Sequence, residues 1–548
     1  MAHRAAAMTL GAWTLPLCAV PVHSQMPELG RASDSTMRQA GSASSFAPAA
    51  VAMPGATDGI TLQDVIEAAF SMSPQVLLGQ RQVDVGLGTL LAARAPFDAL
   101  LATSLVTERE NSFAPTSGNS VASVLTETVT YGVRLPKRLR SGIVITPQIG
   151  LTRASVAHVA GTSTSQAAVN LAVLVPLLAD RGGAVTAAPE RAAQHAYEAA
   201  FLDARHATAA SVFAAVVAYW DDLAAEQQLD VYRSSEARAR QLVEDTRKLV
   251  QADERPVADL KQLLANLALK RAMRITGQQK EVEARQQLGL AMGADAASIV
   301  SLPRPATEFP AMLPDSMVHD AEPPDSDYGS TVVENLIAAA LDRRADLAAE
   351  LARRSATRVQ DLAARDGLRP RLDLTVGLGY AGLVPGGGMD GIFTPLYRNV
   401  PSLNASVQLS YELPLANMAA RGAALRTASL YDQQRIREAD LARRISSGVL
   451  VAVQALRHGQ LALAASREAV ASSREAVENE KRKFQLGMST LFDVILAEDA
   501  LTNARLGEIA GQHDYAVAIA RLRYETGTLL TMDGTRVSAN AQTAMTPP

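Results

Sequence analysis

The chain has 548 residues, enough for several domains or for one large elongated body. Aromatic residues make up 4% against 48% hydrophobic overall, so the apolar content is aliphatic and Ala, which favours long helices packed through small residues. Lys and Arg number 52 against 56 Asp and Glu, a formal net charge of −4, which excludes the basic bias that nucleic-acid binding needs.

Residues 1–24 read as a secretory signal peptide: Arg4, an apolar run to Val20 with Pro16 near its end, and Val22 and Ser24 at the small positions before cleavage. Cys18, the one cysteine, lies inside this segment. Leu17 stands where a lipidation signal wants a small residue, which disfavours lipidation of Cys18, and removal of the segment leaves a mature chain without disulfides. Beyond residue 25 no stretch reads as a transmembrane helix. Such an exported chain is periplasmic, secreted, or a β-barrel protein. Residues 25–57, rich in Ser, Ala, Gly and Pro, read as a disordered tail.

Two repeats follow, over 58–301 and 331–530, joined by a Pro- and Asp-bearing linker at 302–330 and trailed by a disordered tail at 531–548. The first begins with a helix flanked by Thr61 and Asp64, a capping pattern. The second begins with a helix near Thr331. In each, β segments give way to a very long helix, a turn and a shorter helix. The turns are written twice. Val250 to Leu260 includes Asp253, Glu254, Arg255, Pro256 and Asp259, and Phe484 to Val494 includes Gly487, Met488, Ser489, Thr490 and Asp493. The offset from Asp259 to Asp493 is 493 − 259 = 234, and that from Pro176 to Pro414 is 414 − 176 = 238. Near-equal offsets over such long segments point to duplication.

In the second repeat the strands at about 371–380 and 403–413 alternate strictly. Leu403, Ala405, Val407, Leu409, Tyr411 and Leu413 share one face; Asn404, Ser406, Gln408, Ser410 and Glu412 share the other. Apolar-out, polar-in strands of this length fit a membrane barrel around water, although a soluble sandwich gives the same alternation. Two or so strands per repeat cannot close a barrel, so other copies of the chain must pair the edges. The first repeat, with strands over about 98–175, carries a weak strand at 98–107, a strand from Val169 to Val175, and an extra hairpin near 126–151 turned at Lys137 to Gly142. The second repeat has no counterpart to that hairpin. In its long helix Val449, Leu456, Leu463, Val470, Val477 and Phe484 recur every seven residues, with Ala455, Ala462, Ala469 and Ala476 one place before four of them, the mark of a left-handed coiled coil.

The eight His residues have no metal-ligand spacing, Gly386-Gly387-Gly388 lacks the Lys-Ser/Thr of a phosphate loop, and no nucleophile stands beside a base. The sequence therefore predicts neither an enzyme nor a cofactor or metal. Gly487 and Asp253 suit a helix end at positive φ, Ser489 and Thr490 suit caps, and Pro256 suits a first turn, which accounts for most of the repeated motif. Asp493 either offsets the helix dipole or forms a ring of carboxylates at the mouth of a symmetric assembly.

The order of these motifs resembles the TolC-like family of outer-membrane efflux proteins. The residues that carry the resemblance are the repeat start Leu62 to Ala69, the strand-to-helix junctions at Pro176-Leu177-Leu178 and Pro414-Leu415, the turn Phe484…Gly487…Asp493-Val494, and the segment Asp514 to Leu522 followed by Gly527. The resemblance implies a mainly α-helical chain with a transmembrane β-barrel contribution. Two tandem repeats would build a homotrimeric α/β tunnel with four strands per chain in the outer membrane of a Gram-negative bacterium and helices in the periplasm. It implies a passive duct of a tripartite efflux or type I secretion system, fed through a periplasmic adaptor from an inner-membrane transporter. Asp253, Glu254, Arg255, Gly487, Met488 and Ser489 would meet the adaptor, and Asp493 would sit at the periplasmic gate. Leu496 stands where well-known members are often acidic, so any ring is single. A periplasmic adaptor or a coiled-coil scaffold without a barrel is the other reading. An adaptor would normally carry one hairpin rather than two in tandem, and a scaffold needs no strands with polar inner faces.

Overall fold

The computed structural model describes residues 59–116, 120–156, 163–253, 256–312, 327–385, 394–396, 400–533 and 536–548. The signal segment with Cys18, the tail at 25–57, Glu254, Arg255, the Gly386–388 loop and part of the linker lie outside the described residues.

The first repeat opens with α1 (Leu62–Met72) and α2 (Pro74–Arg94). Thr61 starts α1 with a reciprocal cap: its hydroxyl accepts the Asp64 amide at 3.3 Å, and the Asp64 carboxylate accepts the Thr61 amide at 3.0 Å. Pro74 at the first position of α2 loses no helical hydrogen bond. The chain then runs through β1 (Ala102–Thr116), β2 (Ser120–Arg134), the short β3 (Lys137–Arg138), β4 (Val144–Val156) and β5 (Thr164–Pro176). After the single-turn α3 (Gly183–Thr186) come α4 (Ala188–Gln251), α5 (Val257–Met292) and the short α6 (Ala296–Val300).

The second repeat has α7 (Asp327–Arg343), α8 (Ala345–Asp366), β6 (Arg371–Pro385), β7 (Val400–Glu412), α9 (Met418–Gln485) and α10 (Leu491–Glu525). Its first helix starts earlier than Thr331. Helices α4 and α9, with 64 and 68 residues, are each about 100 Å long at 1.5 Å per residue.

One antiparallel sheet joins the repeats in the order β1-β2-β4-β5-β6-β7, with β3 paired to β4. The four strands per chain implied by the resemblance are thus corrected to six long ones. The extra hairpin is a full member of the sheet because β2 bonds to β1 along one edge and to β4 along the other. The strand placed at 98–107 begins instead at Ala102 and reaches Thr116.

The inner turn of this hairpin is fastened to the strand-to-helix junction. The Arg140 guanidinium donates to the Glu190 carboxylate at 2.7 and 2.8 Å and stacks on the Phe97 ring at 5.1 Å. Arg94 reaches the same carboxylate at 3.2 Å. Gly142 sits at φ +94°, where a Cβ would come within 2.5 Å of the Asp180 carbonyl oxygen, so this close approach requires Gly.

Heptad residues Val449, Leu463, Val470 and Val477 of α9 are buried, and Leu456 and Phe484 pack at the edges of neighbouring core clusters. Ala462, Ala469 and Ala476 face out from the protomer. One described helix, α4, contains a window apolar enough to cross a membrane by length and composition, contrary to the expectation of none. Its apolar residues serve packing: α4 runs against α2, α5, α8 and α10, and its Tyr219 and Trp220 are fully buried.

Around that aromatic pair lies a layer built from the repeat boundaries. Ile60 bridges to the linker through Arg304 and Ala306, each at 2.9 Å, and Trp220 stacks on Phe309 at 5.5 Å. Residues 531–548 belong to it as well, which corrects the expected tail. They form β8 (Thr531–Asp533), β9 (Arg536–Ser538) and α11 (Ala541–Met545). Arg523 of α10 donates to the Thr546 and Pro547 carbonyls at 2.8 and 2.7 Å, and Gln63 of α1 accepts the Ala541 amide at 2.9 Å. Few apolar residues mark this segment, and its anchors come from elsewhere in the chain.

Candidate functional site: the helical turns and the strand wall

The two turns occupy one end of the helical body, where α4 passes to α5 and α9 to α10. Positions 234 residues apart both take positive φ: Asp253 at +59° and Gly487 at +74°. The second turn closes with two bonds, from Gly487 to the Phe484 carbonyl (3.1 Å) and from Met488 to the Lys483 carbonyl (2.9 Å), the pattern that ends a helix through a left-handed residue. Thr490 then caps α10, while Pro256 takes the same place before α5 without a side-chain cap.

Asp493 is the third residue of α10 and completes the Thr490 cap. Its carboxylate accepts the Thr490 amide at 2.9 Å, the Thr490 hydroxyl at 2.6 Å and, more weakly, the Ser489 hydroxyl at 3.4 Å. These bonds, the Thr490 hydroxyl first, hold its pKa below the ordinary carboxylate value. Ser489 also donates to Glu480, whose pKa is lowered by that bond and by Lys483 at 3.1 Å. Asp259 occupies the first turn of α5. Leu486, Met488, Phe492 and Leu496 are exposed around the turn. Such a cluster of large apolar side chains is the kind of surface that another protein covers.

Behind the tip, Val243, Leu263 and Leu491 form a buried cluster fed by α4, α5 and α10, with Phe484 of α9 against it. Sequence reasoning missed the ionic lacing that follows. Glu498 of α10 accepts from Arg238 of α4 at 2.7 Å and from Lys481 of α9 at 2.6 Å. Burial alone would raise its pKa, but the two cations outweigh burial and lower it. Lys270 of α5 meets Asp499 of α10 at 2.5 Å, and Arg274 of α5 meets the buried Glu236 of α4 at 2.5 Å. Arg238–Glu498 and Lys270–Asp499 join the first-repeat hairpin to the second, while Lys481–Glu498 and Arg274–Glu236 tie the two arms of one hairpin together. Their partners lie up to 260 residues apart, and no local spacing announces them.

At the other end, rows of residues cross the whole sheet. One row is Thr103, Val133, Ile149, Val169, Tyr380 and Leu403; the adjacent row is Ala102, Arg134, Gln148, Asn170, Gly379 and Asn404. Neighbouring rows point to opposite faces, so over the half of the sheet nearer the helices one face is apolar and the other polar, while farther out Arg153 and the Arg109–Glu127 pair share the apolar face. Among the described residues no group of three or more His, Cys, Asp or Glu side chains is placed to hold a metal ion.

Residues 336–528 match the family described as outer membrane efflux protein. The fold over 85% of the chain matches solved outer membrane proteins. The CmeC outer membrane channel of Campylobacter jejuni aligns with a TM-score of 0.62 at 14% identity, covering 85% of this chain and 85% of that one. The outer membrane protein VceC of Vibrio cholerae gives 0.61 at 16%, covering 85% and 96%. The open state of the MtrE outer membrane channel of Neisseria gonorrhoeae gives 0.56 at 15%, covering 85% and 88%. The chain has the fold of a TolC-like outer-membrane efflux protein. The resemblance read from the doubled motifs is borne out by the family match and by these structures, which are of outer membrane channels and an outer membrane protein. No curated protein matched the sequence.

Proposed function

We propose that the protein is one protomer of a homotrimeric outer-membrane duct for efflux or type I secretion, receiving cargo through a periplasmic adaptor from an inner-membrane transporter. The observation that carries this reading is the sheet with a largely apolar and a largely polar face, continued by two helical hairpins whose longer arms are each about 100 Å. A soluble adaptor or scaffold has no use for such a face, because large apolar side chains such as Leu403 and Val407, 83% and 74% exposed, would meet water.

The duct does no chemistry. Its helical end is the regulated end, where the exposed turns, Asp253, Gly487, Met488 and Ser489 among them, meet the adaptor. Opening requires the α9–α10 hairpin to move against α4–α5, which strains the Arg238–Glu498 and Lys270–Asp499 ion pairs. Asp493 lines the closed end as a single carboxylate per chain, with Leu496 one helical turn away.

Fractionation of expressing cells tests the reading. Heat-modifiable trimers in the outer membrane support it; soluble periplasmic monomer overturns it. A strain lacking the protein should also accumulate cargo that the wild-type strain exports.

A further inference from the structure

The sheet has six long strands and two open edges. Among the described residues no strand covers the outer side of β1 or of β7. Beginning at the helical end, β1 runs away from it and β7 runs back, so the two edges are antiparallel to each other and of similar length, 15 and 13 residues. Inside a bilayer an unpaired edge is costly because lipid offers its N–H and C=O groups nothing. An even number of strands per chain lets a neighbouring copy satisfy both edges while keeping every contact antiparallel.

The extra hairpin belongs to this wall. The apolar row from Thr103 to Leu403 passes through Val133 and Ile149, and the polar row from Ala102 to Asn404 passes through Arg134 and Gln148, without a break in phase. A one-residue slip would have exchanged the faces. A hairpin folded into the lumen as a plug would leave β1 and β5 to pair with each other, whereas here they are separated by β2 and β4. The Arg140–Glu190 contact and the tight seat of Gly142 fix its inner turn to the body of the molecule.

We propose that each chain supplies six strands to the barrel, so that three copies close an eighteen-stranded wall (3 × 6), with β1 of one copy paired antiparallel to β7 of the next. This rests on the trimeric duct proposed above. With strands about 4.8 Å apart and tilted about 40°, eighteen strands give a barrel about 36 Å across, against about 24 Å for twelve. The outer section of the duct is therefore too wide to select cargo, and selection falls to the helical end.

The test uses single cysteines in a Cys18→Ala background, spin-labelled on the full-length protein in phospholipid vesicles. Val129→Cys, Tyr131→Cys, Val133→Cys and Ile149→Cys should be accessible to oxygen dissolved in lipid. Thr128→Cys, Thr130→Cys and Gln148→Cys should be accessible to a water-soluble nickel chelate, each preference exceeding about threefold. Val376→Cys and Val407→Cys serve as controls on β6 and β7. Oxygen access at the controls with water access at every β2 and β4 position would overturn the six-strand wall while leaving the duct standing. Loss of oxygen access at the controls would remove the duct itself. Copy-to-copy closure is read from paired cysteines scanned along β1 and β7: covalent trimers on oxidation are expected, and their absence from every pair overturns the β1–β7 seam.

Discussion

Thr490 and Asp493 hydrogen-bond each other in both directions: the Thr490 hydroxyl accepts the Asp493 amide at 3.3 Å, and the Asp493 carboxylate accepts the Thr490 amide at 2.9 Å. Thr61 and Asp64 make the same reciprocal pair at the start of the first repeat. Asp493 thus has a structural duty, capping α10, beside its proposed place at the closed end. The two are separable. Asp493→Asn keeps a side-chain oxygen for the Thr490 amide and removes the charge, whereas Asp493→Ala removes both. If the carboxylate narrows the closed channel, Asp493→Asn raises single-channel conductance in planar bilayers as much as Asp493→Ala does. A rise confined to Asp493→Ala would assign the residue to the cap alone.

Gly487 and Asp253 test the turns through backbone strain. A Cβ on Gly487 would meet nothing within 4 Å, so a substitution there costs only what the left-handed backbone costs an L-residue, about 1–2 kcal/mol. Gly487→Val should accelerate amide exchange over residues 484–492 and impair adaptor-dependent export, with trimer yield in the outer membrane unchanged. Asp253→Gly should do the reverse at the first turn and slow its exchange. Normal export from Gly487→Val would argue against the turn as the docking surface.

The duplication was legible because its signals are local. Positive φ selects Gly or a tolerant Asp, a helix start selects Thr or Pro, and a coiled-coil seam repeats every seven residues whatever lies around it. The strands were legible as strands, since alternation depends on one segment at a time. Their company was not. Nothing in Val129 to Val133 says that β1 and β4 lie on either side, and the resemblance to a four-strand plan argued the other way. The ion pairs of Glu498, Asp499 and Glu236 were hidden for a related reason. A charge on a long helix looks like solvated surface until the facing helix is known. The C-terminal segment escaped notice because Arg523 and Gln63, rather than its own apolar residues, hold it in place.

His513 gives the helical body a pH-dependent fastening. It stands on α10 between Asp221 of α4 at 2.7 Å and Asp514 at 3.0 Å, and the bond to Asp221, aided by Asp514, raises its pKa above 6.5. A group whose folded pKa is raised stabilises the fold fully below its free value and loses that contribution as pH rises through the folded value. Thermal melts of His513→Gln should fall below wild type at pH 6 and converge with it near pH 9. A deficit that does not change between those values would mean that packing, rather than charge, accounts for the residue.

Asp222 works in the opposite sense. Its carboxyl is fully buried on α4, neither oxygen has a hydrogen-bond partner among the described residues, and Arg285 of α5 approaches only to 3.9 Å while also meeting Glu281 at 2.6 Å. Burial, partly offset by Arg285 and reinforced by Glu281 and Glu226, pushes its pKa up to about 6. The folded state therefore prefers the protonated acid. Stability from this group is greatest at low pH and declines as pH rises from about 4 through about 6, leaving a cost on the order of 3 kcal/mol at pH 7.5. Asp222→Asn keeps the shape and removes that cost. It should melt several degrees above wild type at pH 7.5 and together with it at pH 4. An Asn variant less stable than wild type at pH 7.5 would show instead that the ion pair with Arg285 repays the burial of both charges.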